Sequence, residues 1–280
     1  MLFYERVAPL QKYLSRHKEC AVGFVPTMGA LHEGHLSLLR QSLAENDLSI
    51  CSIFVNPTQF NDAEDLEKYP RMPERDRQML ADTGCDLLFM PAVEEVYPPD
   101  QHQEVDLDLG NLDKVMEGEF RTGHFRGVAT VVKRLLDIVQ PDRLYMGQKD
   151  FQQWAIVREM IRQLNLPVEL KRCPIVREPD GLAMSSRNQR LSPEFRQRAP
   201  AIYQALLHAR EQFEFLPPES IEKFALQEIK DAGLRPDYFE VVNGFTLLPV
   251  NDPRRHDFIV ACAAAWAGDV RLIDNLILKA

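Results

Sequence analysis

A parallel α/β sheet domain followed by a smaller α+β domain is the fold class predicted for this chain of 280 residues, and three patterns predict it. Apolar runs of strand length recur at residues 21–25, 48–55, 86–90, 143–146 and 168–174. Amphipathic segments of helix length separate them at 36–46, 74–83, 128–139 and 151–164, and such alternation makes a parallel sheet with crossover helices. Beyond residue 176 the pattern changes, with helical stretches at 193–213 and 220–232 and then strand-like runs at 238–242, 258–265 and 270–273. The predicted division is one domain over residues 1–175 and a second over 176–280.

The strand runs are apolar enough to be buried within a sheet, as parallel strands covered by helices are. Among the helices, 128–139 carries the plainest stripe, with Val128, Val131, Val132, Leu135, Leu136 and Val139 at helical spacing toward a core. Pro217-Pro218 and Asn251-Asp252-Pro253 read as turns, and no internal repeat, low-complexity tract or heptad array is present.

With 45% hydrophobic and 27% charged residues the composition is that of an ordinary globular protein. A net charge of −9 and a pI near 5.4 oppose broad nucleic-acid binding, which needs a concentrated basic face. The five cysteines are widely spaced with no C-x-x-C pair, so they read as reduced thiols rather than a zinc site or disulfide framework. Residues 1–11 lack the basic flank and apolar run of a signal peptide, and no segment has the apolar length of a bilayer span. A cytoplasmic protein with no membrane partner is the expectation.

Four polar constellations fall at strand ends or in loops. The first, G-F-V-P-T-M-G-A-L-H-E-G-H-L from Gly23 to Leu36, runs from a strand through a glycine-bearing turn into a helix. Helix starts offer unpaired N–H groups and partial positive charge, and glycines admit close approach of a phosphate. His32 and His35 stand three apart, on one side of a helical turn, where both can face phosphates. The structural alternative is that His32 caps the helix and His35 is a satisfied, partly buried side chain. The second, Asn56-Pro57-Thr58-Gln59, follows the second strand at the sheet edge where α/β proteins bind ligands, although such residues also make ordinary turns.

The third, Gly147-Gln148-Lys149-Asp150, lies between a strand and a helix. Lys149 suits a phosphate there, and Asp150 a ribose or the helix cap, against the alternative of an exposed ion pair. The fourth, Val176 to Asn188, is turn-rich and contains Met184-Ser185-Ser186-Arg187, two hydroxyls and a permanent guanidinium suited to phosphates, or a capping linker.

Together these strings resemble the pantothenate synthetase (pantoate-beta-alanine ligase) family of the nucleotidylyltransferase superfamily. P-T-M-G-A-L-H-E-G-H contains that superfamily's H-x-G-H signature, and F-V-N-P-x-Q-F, D-L-x-x-Y-P-R and D-G-L-A-M-S-S-R-N continue the family pattern. M-S-S-R resembles the K-M-S-K-S loop of related synthetases, and the likeness continues through the stretch from Ala264 to Asn275. Three positions depart from the family: Arg75 precedes Asp76 where two acids are usual, Thr122 replaces a proline in R-P-G-H-F, and Gln148 replaces the glutamate of G-E-K-D.

The resemblance implies a Rossmann-like first domain, a second domain that closes as a lid, and a homodimer. It implies ATP as substrate with Mg2+, and pantoate and beta-alanine as the molecules joined. ATP contacts are implied at Met28, Gly29, Ala30, Leu31, His32, Glu33, Gly34 and His35. Further ATP contacts are implied at Gly147, Gln148, Lys149, Asp150, Val176, Met184, Ser185, Ser186 and Arg187. Catalytic roles fall to His35, the family's usual proton donor, and to His32, Lys149, Ser185, Ser186 and Arg187, with Asn56, Gln59, Arg121 and Gln153 toward pantoate or beta-alanine. Asp76, on a helix-like segment, is the weakest assignment, as a ligand of magnesium.

The expected reaction activates pantoate as an acyl-adenylate and then transfers it to the amine. A simple nucleotidylyltransferase and a non-catalytic nucleotide-binding protein are the alternatives; a tRNA-charging enzyme is disfavoured by the acidic balance.

Overall fold

The computed structural model describes residues 1–59, 66–67, 69–99 and 105–280. They cluster into two compact units, Met1–Gly147 with Ile156–Cys173, and Gln148–Ala155 with Pro174–Ala280. The expected division at 175/176 differs from this clustering in two respects: Pro174 and Ile175 fall in the second unit, and Gln148–Ala155 groups with the C-terminal residues, to which it is hydrogen-bonded through Asn275.

The first unit holds a six-stranded parallel sheet of β1 (Leu2–Tyr4), β2 (Val22–Thr27), β3 (Leu48–Ile53), β4 (Leu87–Phe89), β5 (Arg143–Gly147) and β6 (Glu169–Cys173), in the order β1-β4-β3-β2-β5-β6. The chain builds outward from β2 through β3 and β4, then returns to place β5 on the other side of β2, so the strand order reverses between β2 and β5. Such a switch point leaves a crevice at the carboxyl ends of the two strands, where α/β sheets take their ligands. Among the helices, α1 spans Val7–Leu14, α2 Glu33–Glu45, α3 Pro73–Thr83 and α4 His124–Val139. The core between α2, α3 and the sheet gathers Val25, Leu31, Leu39, Leu80, Leu88 and Tyr145.

The edge strand β1 escapes the sequence patterns because three residues cannot display a period; it pairs with β4 alone. Helix α4 begins at His124, one turn earlier than its apolar stripe, because Gly123 at φ 80° breaks the preceding turn.

Helix α5 (Phe151–Gln163) follows β5. The second unit then packs α6 (Ala201–Gln212) and α7 (Pro218–Asp231) on an antiparallel sheet of β7 (Arg235–Asn243), β8 (Ile259–Ala267) and β9 (Val270–Lys279). Ile202, Leu206, Ile229, Phe239, Val241 and Ile259 lie in its core. The single helix expected over 193–213 is two, Pro193–Arg198 and Ala201–Gln212, because Pro200 has no N–H to continue the ladder. No described helix is long and apolar enough to cross a membrane.

Candidate active site

In the first unit, β2 ends at Thr27 and the chain turns through Met28 to Leu31 before α2 begins. Gly29 has φ 79° and Ala30 φ 50°, both left-handed, so the turn needs external support at its non-glycine residue. Asp76 of α3 supplies it: one carboxylate oxygen accepts the N–H of Ala30 and the other that of Leu31, each at 2.8 Å. A Cβ on Gly29 would sit 2.9 Å from the same carboxylate.

This arrangement gives Asp76, expected as a ligand of magnesium, a structural role in the turn. Its side chain is 1% exposed and each oxygen accepts a backbone N–H, so it holds the turn. Among the described residues, no group of three or more His, Cys, Asp or Glu is gathered to hold a metal. Its partner in the family's pair, Arg75, lies exposed on the same helix.

His32 is the N-cap of α2. Its Nδ1 accepts the N–H of Gly34 at 3.1 Å, while His35 Nδ1 accepts the N–H of His32 at 3.4 Å, and the two rings lie 4.0 Å apart. A ring nitrogen that accepts carries no proton, so each neutral imidazole has its N–H at Nε2. Capping and ligand binding are therefore compatible: Nδ1 fixes each ring, and Nε2–H is the donor it presents. The helix start adds the positive end of its dipole.

At the end of β3, Gln59 is 7% exposed in the short turn Pro57–Gln59. Asn56 beneath it is 1% exposed. The Asn56 amide donates to Gln59 Oε1 and to the Gly127 carbonyl, both at 3.3 Å, and its Oδ1 accepts the Tyr97 hydroxyl at 3.0 Å and the Thr58 hydroxyl at 3.1 Å. Its polar atoms are thus engaged within the protein, where Asn56, expected toward substrate, supports Gln59. His124 completes the support, its Nδ1–H donating to the Gln59 carbonyl at 2.7 Å. Burial raises the Tyr97 phenol, keeping it a hydroxyl donor. Gly127 permits the close approach of α4, since a Cβ there would lie 2.5 Å from the Thr58 carbonyl oxygen. Arg121 closes the short helix Glu117–Phe120 and is half-buried.

In the second unit, Gln148–Asp150 forms a tight turn leading into α5, whose first turn carries the half-buried Gln153. The Lys149 side chain is 19% exposed, with Nζ 3.7 Å from Asp150. Val176 and Met184 are joined in a hairpin, Met184 N–H donating to the Val176 carbonyl at 3.0 Å, with an antiparallel bridge between Arg177 and Ala183. The hairpin delivers the chain to Ser185, whose Oγ accepts the Arg187 N–H at 3.3 Å and so keeps its own proton available for donation. Ser186 and Arg187 follow, both half-buried. Val176 and Met184, eight positions apart in sequence, are thus neighbours.

Tyr97, His124, Asp274 and Asn275 are polar groups that the motif reading leaves without a role. His124 lies inside R-T-G-H-F-R-G-V, and Asp274 and Asn275 close the family-like stretch that begins at Ala264, but neither string assigned them a role. The family stretch beginning at Asp65 lies partly outside the described residues.

The pantoate-beta-alanine ligase family matches residues 3–277. A pantothenate synthetase of Porphyromonas gingivalis is 46% identical over 280 residues, covering 99% of each chain. Among solved structures, the pantothenate synthetase of Thermus thermophilus is similar with a TM-score of 0.93 and 45% identity over 100% of both chains. The pantoate-beta-alanine ligase of Francisella tularensis, solved with beta-gamma ATP and beta-alanine, is similar with a TM-score of 0.83 and 34% identity over 99% of this chain and 98% of that one. With its fold, its histidine-capped turn and its whole-length similarity all in agreement, this chain belongs to the pantoate-beta-alanine ligase family.

Proposed function

We propose that this ligase joins pantoate to beta-alanine through an enzyme-held pantoyl-adenylate, releasing pyrophosphate in the first step and AMP in the second. A carboxylate is a poor acyl donor because oxide is a strongly basic leaving group; AMP is a far better one. A pantoate carboxylate oxygen attacks the α-phosphorus of ATP, forming a P–O bond as the bond to the β-phosphate breaks. The neutral amine of beta-alanine then attacks the acyl carbon, the bond to AMP breaks, and the nitrogen loses a proton to give pantothenate.

The observation that carries this reading is the histidine cap. Both imidazoles are anchored through Nδ1, leaving Nε2–H as the donor of each at the start of α2, beside the switch point of the sheet. Donors fixed before reaction stabilise charge developing on pyrophosphate without reorganising. His35, His32, Lys149, Ser185, Ser186 and Arg187 are assigned to that charge. The turn from Met28 through Gly34, Gly147 to Asp150, and Val176 with Met184 are assigned to the remainder of ATP. Gln59, Gln153 and Arg121 are assigned to pantoate and beta-alanine, with Asn56 holding Gln59. The family resemblance supports these contacts at the positions that match its motifs, from which Gln148 departs.

Magnesium is assigned to the substrate, as Mg-ATP, with its ligands supplied largely by phosphate oxygens, the usual manner of nucleotide-bound Mg2+. A cytoplasmic homodimer is the proposed working form, on the family resemblance; sedimentation of the purified chain tests the dimer.

The test is pyrophosphate–ATP exchange with pantoate alone, followed by AMP and product formation on adding beta-alanine. Exchange without beta-alanine, and pantothenate by mass spectrometry only with both, are expected. Exchange that never leads to amine-dependent AMP release would turn the reading to a simple nucleotidylyltransferase, and absence of exchange would remove the adenylate.

A further inference from the structure

Two consecutive polar residues near the middle of β9, Asp274 and Asn275, are 5% and 2% exposed. Buried polar side chains in a sheet are costly unless fully paired, and both are paired to segments already assigned to ATP. The Asn275 amide donates one hydrogen to the Gln148 carbonyl at 2.9 Å and the other to the Lys149 carbonyl at 3.0 Å, while its Oδ1 accepts from Gln148 Nε2 at 3.1 Å. No donor or acceptor of the side chain is left for any other purpose except the second lone pair of Oδ1. Asp274 receives the Arg177 guanidinium in two bonds, 2.6 and 3.0 Å, and Arg177 also donates to the Gly181 carbonyl at 3.0 Å inside the hairpin that leads to Ser185. The Arg177 guanidinium lies 3.6 Å from the centroid of the Tyr203 ring, which fixes its plane.

We propose that Asn275 is a positioning residue for Lys149, gripping the backbone of the Gln148–Asp150 turn so that the lysine is held in place before ATP arrives. The inference rests on the reading of Lys149 as a phosphate contact. Asparagine is the side chain that can do this: it offers two donors and one acceptor at short reach, whereas aspartate offers acceptors alone and would face two carbonyl oxygens. The neighbouring Asp274 holds the hairpin through Arg177, so adjacent positions of one strand grip both ATP-assigned segments of the second unit. Gln148, which departs from the family's glutamate, fits the same clamp: its amide N–H completes the bond to Asn275 Oδ1.

The test is a double-mutant cycle read by pantoate-dependent pyrophosphate–ATP exchange, using Asn275→Asp, Lys149→Ala and the pair in the full-length chain. Misplacing the lysine is expected to lower kcat/KM for ATP by about 10- to 100-fold in Asn275→Asp. In the Lys149→Ala background the same change is expected to cost less than about threefold, because the group it positions is already gone. Equal losses in both backgrounds, or no loss in the wild-type background, would overturn the proposal. Full exchange by Lys149→Ala alone would instead remove the reading of Lys149 on which it rests. Asn275→Ser, which retains one donor, provides the folded variant if Asn275→Asp does not fold. If neither folds, the side chain serves the sheet first and the proposal is rejected.

Discussion

Asp76 offers a direct trial of how the histidine turn is built. Its two oxygens accept the N–H groups of Ala30 and Leu31 at 2.8 Å in a site where the side chain is 1% exposed, so water does not replace them. Hydrogen bonds to a charged group contribute about 1.5–3 kcal/mol each, which makes the pair worth about 3–6 kcal/mol. Asp76→Ala removes both acceptors and is expected to cost at least about 3 kcal/mol, lowering the melting temperature by about 6–12 °C in a unit of this size. Asp76→Asn keeps the volume and one acceptor but turns an amide NH2 toward the other backbone N–H, and about half that loss is expected. With its support gone, Ala30 at φ 50° relaxes, and His32 and His35 move with it. Exchange activity at 15 °C, where both variants remain folded, is expected to fall about 100-fold. The assays are thermal unfolding, exchange, and a Mg2+ titration of the residual activity. A melting point within about 2 °C of wild type and unchanged exchange for Asp76→Asn would refute the loop argument. A much higher Mg2+ requirement with unchanged melting would instead favour the metal-ligand role expected from the sequence.

Three further outcomes follow from the same packing. Gly127→Ala places a Cβ 2.5 Å from the Thr58 carbonyl oxygen, and the overpacking, about 1–3 kcal/mol, is expected to outweigh the gain in helix propensity of about 1 kcal/mol; a lower melting point and a raised KM for pantoate check it, and a stabilised enzyme with unchanged KM refutes it. Tyr97→Phe removes the hydroxyl donated to Asn56, which is expected to cost about 1 kcal/mol and to raise KM for pantoate while leaving that for ATP unchanged; equal effects on both would contradict the support of Gln59. Burial disfavours the thiolate of Cys51, pushes Cys85 up to about 11 and Cys173 up to about 12, and leaves Cys20 the half-exposed thiol. Cys20 should therefore be the thiol that a disulfide reagent labels in the native protein, with the buried four reacting only after denaturation; a second thiol labelled at the Cys20 rate would refute this burial.

The architecture was legible in the sequence wherever an element was long enough to show a period. The stripe from Val128 to Val139 and the apolar run of β2 are examples, and both are buried as read. The elements missed or misjudged have local reasons. The strand β1 is three residues on an edge, and Pro200 divides what looked like one helix. The strand β9 continues to Lys279 through Asp274 and Asn275, where the expected strand stopped because two polar residues contradict an apolar run. A polar pair persists inside a strand only when its partners are present, and those partners, Arg177 and the Gln148–Lys149 turn, come from distant parts of the chain. No window of sequence around residue 275 contains that information.

The motifs show the complementary limit. Sequence strings mark where a site is built, but they do not separate the groups that face a ligand from the groups that hold them. Asn56 and Gln59 belong to one string, yet the first has its polar atoms engaged inside the protein while the second rests on it. Asp76 and His32 lie in two strings that share one purpose, the acid fixing the turn and the histidine closing it. For His32 and His35 the structural and the proposed chemical readings are compatible, because an imidazole has two nitrogens and each ring uses Nδ1 in the helix cap. The cap determines the tautomer, and the tautomer determines that Nε2 donates. A substitution that keeps the ring but releases Nδ1, such as Gly34→Pro, is therefore expected to lower exchange activity although both histidines remain, since proline removes the N–H that orients His32. Full exchange in that variant would mean that the cap and the chemistry are independent.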